Sequence, residues 1–178
     1  LSLLMCFYGA SLYADEKITP ESIAVFLDAH STAIMQKDEA KLATLFSDDY
    51  RQNDTKTPAQ GLNKSDIVKI YKNNFLVSKL IINKIKLLAT KITEDGQRAT
   101  LNTHIFNRYL LEFQGKQNIL NQEETWSSEV VLQQGQLLYR STEKTPNFLF
   151  FKFSLISFSA RDFISVTLSL GTHTLTRA

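Results

Sequence analysis

The stretch EDGQRATLNTHIFNRYLLEF, residues 94–113, decides the fold of this chain. It opens on Asp95-Gly96, the residue pair of a type I′ hairpin turn, and apolar and polar residues then alternate. One side of the alternation holds Leu101, Ile105, Tyr109, Leu111 and Phe113, and the other holds Asn102, His104, Phe106 and Arg108. A period of two with one apolar side predicts a strand at 98–113 that is buried on one face only.

The same pattern continues on both sides of this stretch. Alternation predicts further strands near 80–93, 118–133 and 136–143, with turns at Gly115 and Gly135. Strands joined by such short turns lie antiparallel to their neighbours, so this half of the chain predicts a meander.

Helical patterns occupy the part of the chain before residue 78. Thr19 followed by Pro20 is typical of a helix start, and a short second helix is predicted after Asp38, as far as Phe46. A short strand at 50–54 follows. Gly61 then precedes a third helix, for which either Asn63 or Ser65 could be the N-cap. Helices first and strands afterwards predict an α+β protein in which N-terminal helices accompany an antiparallel sheet, rather than a parallel α/β fold.

Composition and charge exclude several classes of protein. The 178 residues suffice for one domain, and 43% hydrophobic with 21% charged residues are ordinary globular values. The net charge of +2 arises from the last 32 residues, because residues 15–145 hold 17 basic and 17 acidic side chains. Nucleic-acid-binding domains carry a basic surplus. We therefore predict no nucleic-acid partner.

The chain opens with an apolar segment. Residues 1–14 carry no charge, and Asp15-Glu16-Lys17 follow at once. This pattern predicts a signal peptide with a truncated start, cleaved after Ala14, and hence a periplasmic or secreted protein. The alternative is a buried N-terminal helix or strand. Removing the leader would remove Cys6, so the mature protein would have no disulfide and no cysteine nucleophile.

The tail, residues 146–178, differs in composition from the rest of the chain. It begins at Pro146 and holds six of the twelve phenylalanines but one acidic residue. It could add strands to the sheet, form an interaction or membrane-touching tail, or lie outside the native domain. We predict a domain at 15–145 that folds without residues 147–178, and a membrane partner only if the tail is exposed.

Four sequence motifs resemble those of the NTF2-like superfamily, which includes the SnoaL-like and ketosteroid-isomerase-like proteins. They are Asp38-Glu39-Ala40-Lys41-Leu42, Leu45-Phe46-Ser47-Asp48-Asp49-Tyr50, Gly61 with Ile67 and Tyr71, and the hairpin from Trp126 to Arg140. The resemblance covers about residues 20–145. It implies a curled sheet around helices, a cone-shaped pocket and a homodimer formed through the sheet.

The resemblance also implies where a catalytic group would stand. SnoaL-like members often carry a pocket histidine on the strand after the Asp-Asp-Tyr motif, and here Asn53 stands at that position. In ketosteroid-isomerase-like members an aspartate near this point abstracts a proton, a role that Asp54 could fill.

Two carboxylates are candidates for a catalytic base. Asp54 could be tuned by burial at a pocket mouth, or it could simply cap the turn before Thr55. Glu124 alternates with Trp126 and could share the apolar face, where its pKa would be raised; the alternative is a glutamate at the open end of the sheet.

The predicted lining of the pocket is mostly aromatic. It comprises Tyr50, Asn53, Tyr71, Tyr109 and Trp126, although core packing would also account for the rings. His30 lies beside an apolar helical stripe and fits a core histidine, whereas His104 lies on the polar side of its strand. The scattered histidines show no metal-ligand spacing and no phosphate-binding loop is present, so we predict no metal and no cofactor.

Two functions remain open at this point. One is an exported pocket domain without catalysis, which binds a small apolar molecule or serves as a dimeric assembly module. The other is a cofactor-independent enzyme that transfers a proton or hydrolyses a small apolar substrate, with Asp54 or Glu124 as base.

Overall fold

A computed structural model describes residues 16–54, 61–113 and 115–151, without the side chains of residues 54, 113 and 146–151. Its elements are α1 (Pro20–Met35), α2 (Glu39–Ala43), β1 (Phe46–Asp54), β2 (Leu62–Asn63), α3 (Lys64–Val77), β3 (Ser78–Ile92), β4 (Arg98–Phe113), β5 (Lys116–Gln133) and β6 (Gln136–Phe151). The predicted signal peptide and residues 152–178 lie outside this description. The α+β prediction is confirmed.

The six strands in the described ranges form one sheet in the order β2-β1-β6-β5-β4-β3. Strands β3 to β6 make the predicted antiparallel meander, but β1 pairs with β6 in parallel. The sheet is therefore mixed. Hairpin turns fix only the directions of β3 to β6, and β1 reaches its neighbour through no hairpin, so its direction was not predictable from turns.

Two helix starts follow the capping chemistry that the sequence indicates. Thr19 caps α1, its side chain accepting a bond from the backbone N–H of Ser22. Asn63 caps α3, and a reciprocal pair of 3.0 Å bonds joins it to Asp66. Of the two residues considered for α3, Asn63 is the cap and Ser65 lies within the first turn.

The hairpin turn at Asp95-Gly96 differs from the prediction in its type. A type I′ turn needs positive φ at both central residues, and only Gly96 of the Asp95-Gly96 pair has it. The bond from Thr93 N–H to the Arg98 carbonyl closes a longer loop instead. The type I′ signature occurs at Gln134-Gly135, with φ of 51° and 76°.

The core lies between the helices and one surface of the sheet, which we call the inner face. On β4 the inner face carries Leu101, Ile105 and Tyr109, all at most 3% exposed, as the alternation predicts. His104 and Arg108 point to the opposite, outer face. The segment before α1 joins this core through a 2.8 Å bond from Ile18 N–H to the Gly96 carbonyl.

Strand β6 is longer than the predicted 136–143. It continues past Pro146, which pairs with Glu124, to Phe151, which pairs with Leu120. In the described part of the chain β1 pairs with β6 only as far as Lys144, so Pro146 lies where one side of β6 needs no donor. The predicted boundary at 145 thus falls inside a strand. Whether the domain needs residues 147–178 stays a prediction. No described helix is long and apolar enough to cross a membrane.

Candidate functional site

The inner face of β5 carries a carboxylate that is held by three neighbours. Glu124 is 8% exposed. Its Oε2 accepts a 2.7 Å bond from the indole Nε1–H of Trp126, and its Oε1 accepts a 2.6 Å bond from Nε2–H of Gln122. These donors lie two residues away on either side along the strand, where alternation keeps all three side chains on one face.

A cation compensates the buried charge of Glu124. The ammonium of Lys144, on neighbouring β6, lies 3.5 Å from Oε2 of Glu124 and 4.4 Å from the ring centroid of Trp126. Lys144 pairs directly with Trp126 across the sheet. Only 20% of the lysine side chain and 11% of the glutamate side chain are exposed, so solvent screens this pair weakly. Carboxylate, indole and ammonium therefore form one unit, the Glu124 triad.

A histidine–tyrosine pair lies beside the Glu124 triad. The ring of His30, on α1, is fully buried, with its centroid 5.8 Å from that of Trp126. Its Nδ1 lies 3.0 Å from the hydroxyl of Tyr139 on β6. Its Nε2 has no hydrogen-bond partner among the described residues. Burial and the nearby charge of Lys144 lower the pKa of His30 to about 3, so the imidazole is neutral near pH 7.

Two buried tyrosines lie near these groups. Tyr71 of α3 and Tyr109 of β4 are at most 9% exposed. Burial raises the pKa of both hydroxyls, and the negative charge of Glu124 raises them further. The two rings therefore remain protonated and can only donate or accept neutral hydrogen bonds.

A row of amides continues the polar surface toward the sheet edge. Asn83 Nδ2–H of β3 donates a 2.6 Å bond to Oδ1 of Asn107, which pairs across the ladder with Gln122. Asn83 Oδ1 is buried without a partner in the part of the chain described. Gln122, which bonds Glu124, therefore lies next to Asn107 in the sheet, and the two buried amides of Asn107 and Asn83 extend the polar surface toward β3.

The structure brings together four of the seven predicted site residues. Glu124 and Trp126 are in direct contact, and Tyr71 and Tyr109 are close enough for the charge of Glu124 to raise their pKa values. Tyr50, on β1, is also fully buried, and its hydroxyl lies 3.4 Å from Oε1 of Gln52.

The two remaining predicted residues, Asn53 and Asp54, are also not in this group. Asn53 is exposed and pairs with the exposed Glu143, so the structure places it away from the inner-face groups. Alternation explains this, because Gln52 before it is buried. The backbone of Asp54 pairs with Lys144, while its side chain lies outside the description.

Sequence reasoning missed His30 and Lys144 as members of the site. His30 was interpreted as a core histidine, and among the described residues only its Nδ1 has a hydrogen-bond partner. A histidine among apolar helix positions was the signal available for it. Gln122 could have been found by extending the alternation from Trp126 and Glu124.

A second feature, an open cleft of about 740 Å³, lies elsewhere between α2, β1 and α3. It is lined by Glu39, Asp48, Arg51, Asn63, Lys64, Ser65, Val68, Lys69 and Lys72. Asp48 and Glu39 pair with Lys64 and Lys72 at 2.9 and 3.3 Å. None of the inner-face groups lines this cleft. Both of its acidic side chains are paired with lysines, and Arg51 and Lys69 give the lining a net positive charge. Within the described ranges no three potential ligands are grouped to hold a metal ion.

Comparison with known proteins identifies the fold. No protein-family model matches the chain, and none of the curated proteins matches it significantly. Solved structures do match. A hexachlorocyclohexane dehydrochlorinase, LinA type 3 of Novosphingobium barchaimii, is 11% identical, with 78% of this chain and 92% of that chain covered and a TM-score of 0.59.

Two further structures cover similar shares. A proposed scytalone dehydratase from Novosphingobium aromaticivorans is 13% identical, with coverage of 75% and 87% and a TM-score of 0.63. A protein with a cystatin-like fold from Caulobacter vibrioides is 14% identical, with coverage of 72% and 89% and a TM-score of 0.55. This chain therefore has the NTF2-like α+β fold that its motifs imply. At such identities the similarity shows the fold alone.

Proposed function

We propose that this protein binds a small, largely apolar molecule on the inner face of its sheet, against the Glu124 triad and the tyrosines around it. The observation that carries the proposal is the Glu124 triad itself, in which a carboxylate and an ammonium lie 3.5 Å apart beside an indole and near buried tyrosines. The tyrosine and tryptophan rings supply apolar contact area, and the carboxylate holds the indole and the ammonium in place beside it.

A purely structural role does not explain this arrangement well. Burying an ion pair costs desolvation of both charges, and well-packed apolar residues of similar volume usually stabilise a core as much or more. The cluster also includes two buried polar atoms, His30 Nε2 and Asn83 Oδ1, for which the described residues provide no hydrogen-bond partner. Polar groups that a fold holds in place at a cost to its stability are typical of ligand sites.

The single tryptophan gives a direct test. Trp126 is the only tryptophan of the chain and is part of the Glu124 triad, so its fluorescence reports on this site alone. We expect saturable changes in emission when the purified protein is titrated with small aromatic and alicyclic compounds. Glu124→Gln should weaken binding, whereas Glu129→Gln, on the outer face, should not. Binding unaffected by Glu124→Gln would contradict the proposal.

A second candidate function is proton-transfer catalysis without a cofactor. It is favoured by the buried carboxylate of Glu124 lying next to Trp126 and near a neutral imidazole, since a positioned carboxylate in an apolar site can act as a general base. Proteins described as a dehydrochlorinase and as a proposed scytalone dehydratase share the fold. Should an eliminating or isomerising activity be found, Glu124→Gln should lower kcat about a hundredfold or more, with Asp54→Asn the matched test of the other candidate.

Export and dimerisation belong to the same proposal. The apolar leader at residues 1–14 supports a periplasmic or secreted site of action.

An apolar row on the outer face supports a homodimer formed through the sheet. Leu80, Leu110 and Ile119 are direct neighbours across β3, β4 and β5, and Leu80 and Ile119 are at least half exposed.

A further inference from the structure

The unpartnered nitrogen of His30 is the feature that the Glu124 triad does not explain. The imidazole is fully buried, and its Nδ1 bond to Tyr139 connects α1 to β6. That bond gives one nitrogen a structural role. Nε2 has no partner among the residues that the structure describes, and a buried polar atom without a partner lowers stability.

The tautomer of His30 follows from its one bond. Burial raises the pKa of the Tyr139 hydroxyl, so this hydroxyl keeps its proton, and Nδ1 of His30 is the partner recorded for it among the described residues. If the hydroxyl donates to Nδ1, its proton is satisfied and the imidazole proton lies on Nε2. The opposite tautomer would leave the hydroxyl proton and the Nε2 lone pair both unsatisfied. The first arrangement leaves a single free donor, the Nε2–H.

The surroundings of His30 restrict what could accept this bond. Four aromatic rings surround the imidazole, those of Phe46, Tyr71, Trp126 and Tyr139, with centroids 5.3–6.5 Å away. The lone pairs of Glu124 already face Gln122, Trp126 and Lys144. The ammonium of Lys144, whose charge acts on the imidazole, is itself paired with that carboxylate, and burying a further charged group among these rings would be costly. A neutral acceptor on an apolar body is therefore the chemistry that fits.

We propose that the Nε2–H of His30 donates a hydrogen bond to the carbonyl oxygen of a small, neutral, apolar ligand, and so anchors that ligand on the inner face. This inference rests on the proposed function and names the ligand class for the same site. His30 acts here as a binding residue, and Tyr139 is the positioning residue that keeps the proton on Nε2.

A matched pair of probes tests the anchor. Indane and 1-indanone share one bicyclic skeleton, and only 1-indanone carries a carbonyl oxygen. Binding of each to the purified full chain is followed by the fluorescence of Trp126. We expect wild type to bind 1-indanone about tenfold more tightly than indane, which corresponds to one hydrogen bond. In His30→Phe the two probes should bind within about twofold of each other, with indane binding retained. His104→Phe, on the outer face, should keep the full preference.

A second readout covers the case in which His30→Phe fails to fold. In the imidazole ¹⁵N spectrum of wild type, the His30 ring should show the proton on Nε2, and 1-indanone but not indane should shift that resonance. A proton on Nδ1, or equal affinity of wild type for the two probes, would overturn the anchor and leave the proposed site standing. Failure of both probes to bind up to their solubility limits would instead contradict the proposed function, and the anchor with it.

Discussion

His30 shows how burial of one side chain determines its protonation state. The imidazole is held between α1 and β6, and removing it from water lowers its pKa to about 3 from an ordinary value of 6.5. A group with that pKa is a poor base at neutral pH. It is, however, a permanent hydrogen-bond donor and acceptor whose roles the neighbouring Tyr139 sets.

The same pKa shift predicts how stability depends on pH. Between about pH 6.5 and 3 the unfolded chain protonates His30 while the folded chain does not. The contribution of the neutral ring is therefore fully present above about pH 6.5 and is lost as pH falls toward 3. By pH 4 the loss should be on the order of 3 kcal/mol. Urea unfolding midpoints should therefore fall more between pH 7 and 4 in wild type than in His30→Phe. Parallel curves would show that His30 does not titrate in this way.

Glu124 and Lys144 predict a measurable coupling. Each single change, Glu124→Gln or Lys144→Met, removes one charge of this largely buried pair and should cost about 1–3 kcal/mol of unfolding free energy. The double variant should lose about 1 kcal/mol less unfolding free energy than the sum of the two single losses. Glu129→Gln, which removes an exposed 3.9 Å contact with Arg98, should stay within about 0.5 kcal/mol. Additive losses at Glu124 and Lys144 would show that the pair does not interact.

At the scale of the element, one irregularity in β6 decides which side chains reach the site. Counting back from the Gln134-Gly135 turn, regular pairing would place Glu143 opposite Trp126. The register shifts at Glu129–Val130, where Arg140 is the extra residue on β6, and Lys144 comes to lie opposite Trp126 instead. Plain alternation predicted that Glu124 and Trp126 share a face. No residue signals the bulge, so Lys144 could not be placed in the site from sequence.

Helix α3 offers a test of capping that separates the two residues considered for it. Asn63 accepts the Asp66 backbone bond at 3.0 Å and is the cap, whereas Ser65 lies inside the helix. Asn63→Ala should therefore lower the unfolding free energy by about 1 kcal/mol. Ser65→Ala should change it by less than about 0.5 kcal/mol. Equal losses, measured by denaturant unfolding, would mean that the helix does not begin at Asn63.

At the scale of the whole molecule, the fold was more predictable than the site. The start of α1 and the two faces of β4 agree with the prediction. Each depends only on the pattern of residues within its own short segment. The rings that contact His30 come from α3, β1, β5 and β6. Its environment therefore forms only when the helices pack against the sheet. Sequence patterns of period two or 3.6 hold no information on such contacts.

The outer face gives a prediction about the assembled protein. If the row of Leu80, Leu110 and Ile119 forms the centre of a homodimer, Ile119→Lys should place a charge in that interface and shift sedimentation toward the monomer. Val25→Lys, at a more exposed apolar position on α1, serves as the control and should leave the sedimentation coefficient unchanged. A monomeric wild type at high concentration would contradict the dimer without affecting the inner-face site.

The central claim is that the inner face is a small-molecule site, and the indole N–H of Trp126 tests it most directly. Trp126 gives the only indole cross-peak of the chain in a ¹H–¹⁵N spectrum, and this proton is the one that bonds Glu124. We predict that small apolar carbonyl compounds move this peak saturably, and that Glu124→Gln reduces the movement. An indole peak that stays fixed while such compounds shift resonances elsewhere, for example along the cleft beside α3, would contradict the claim.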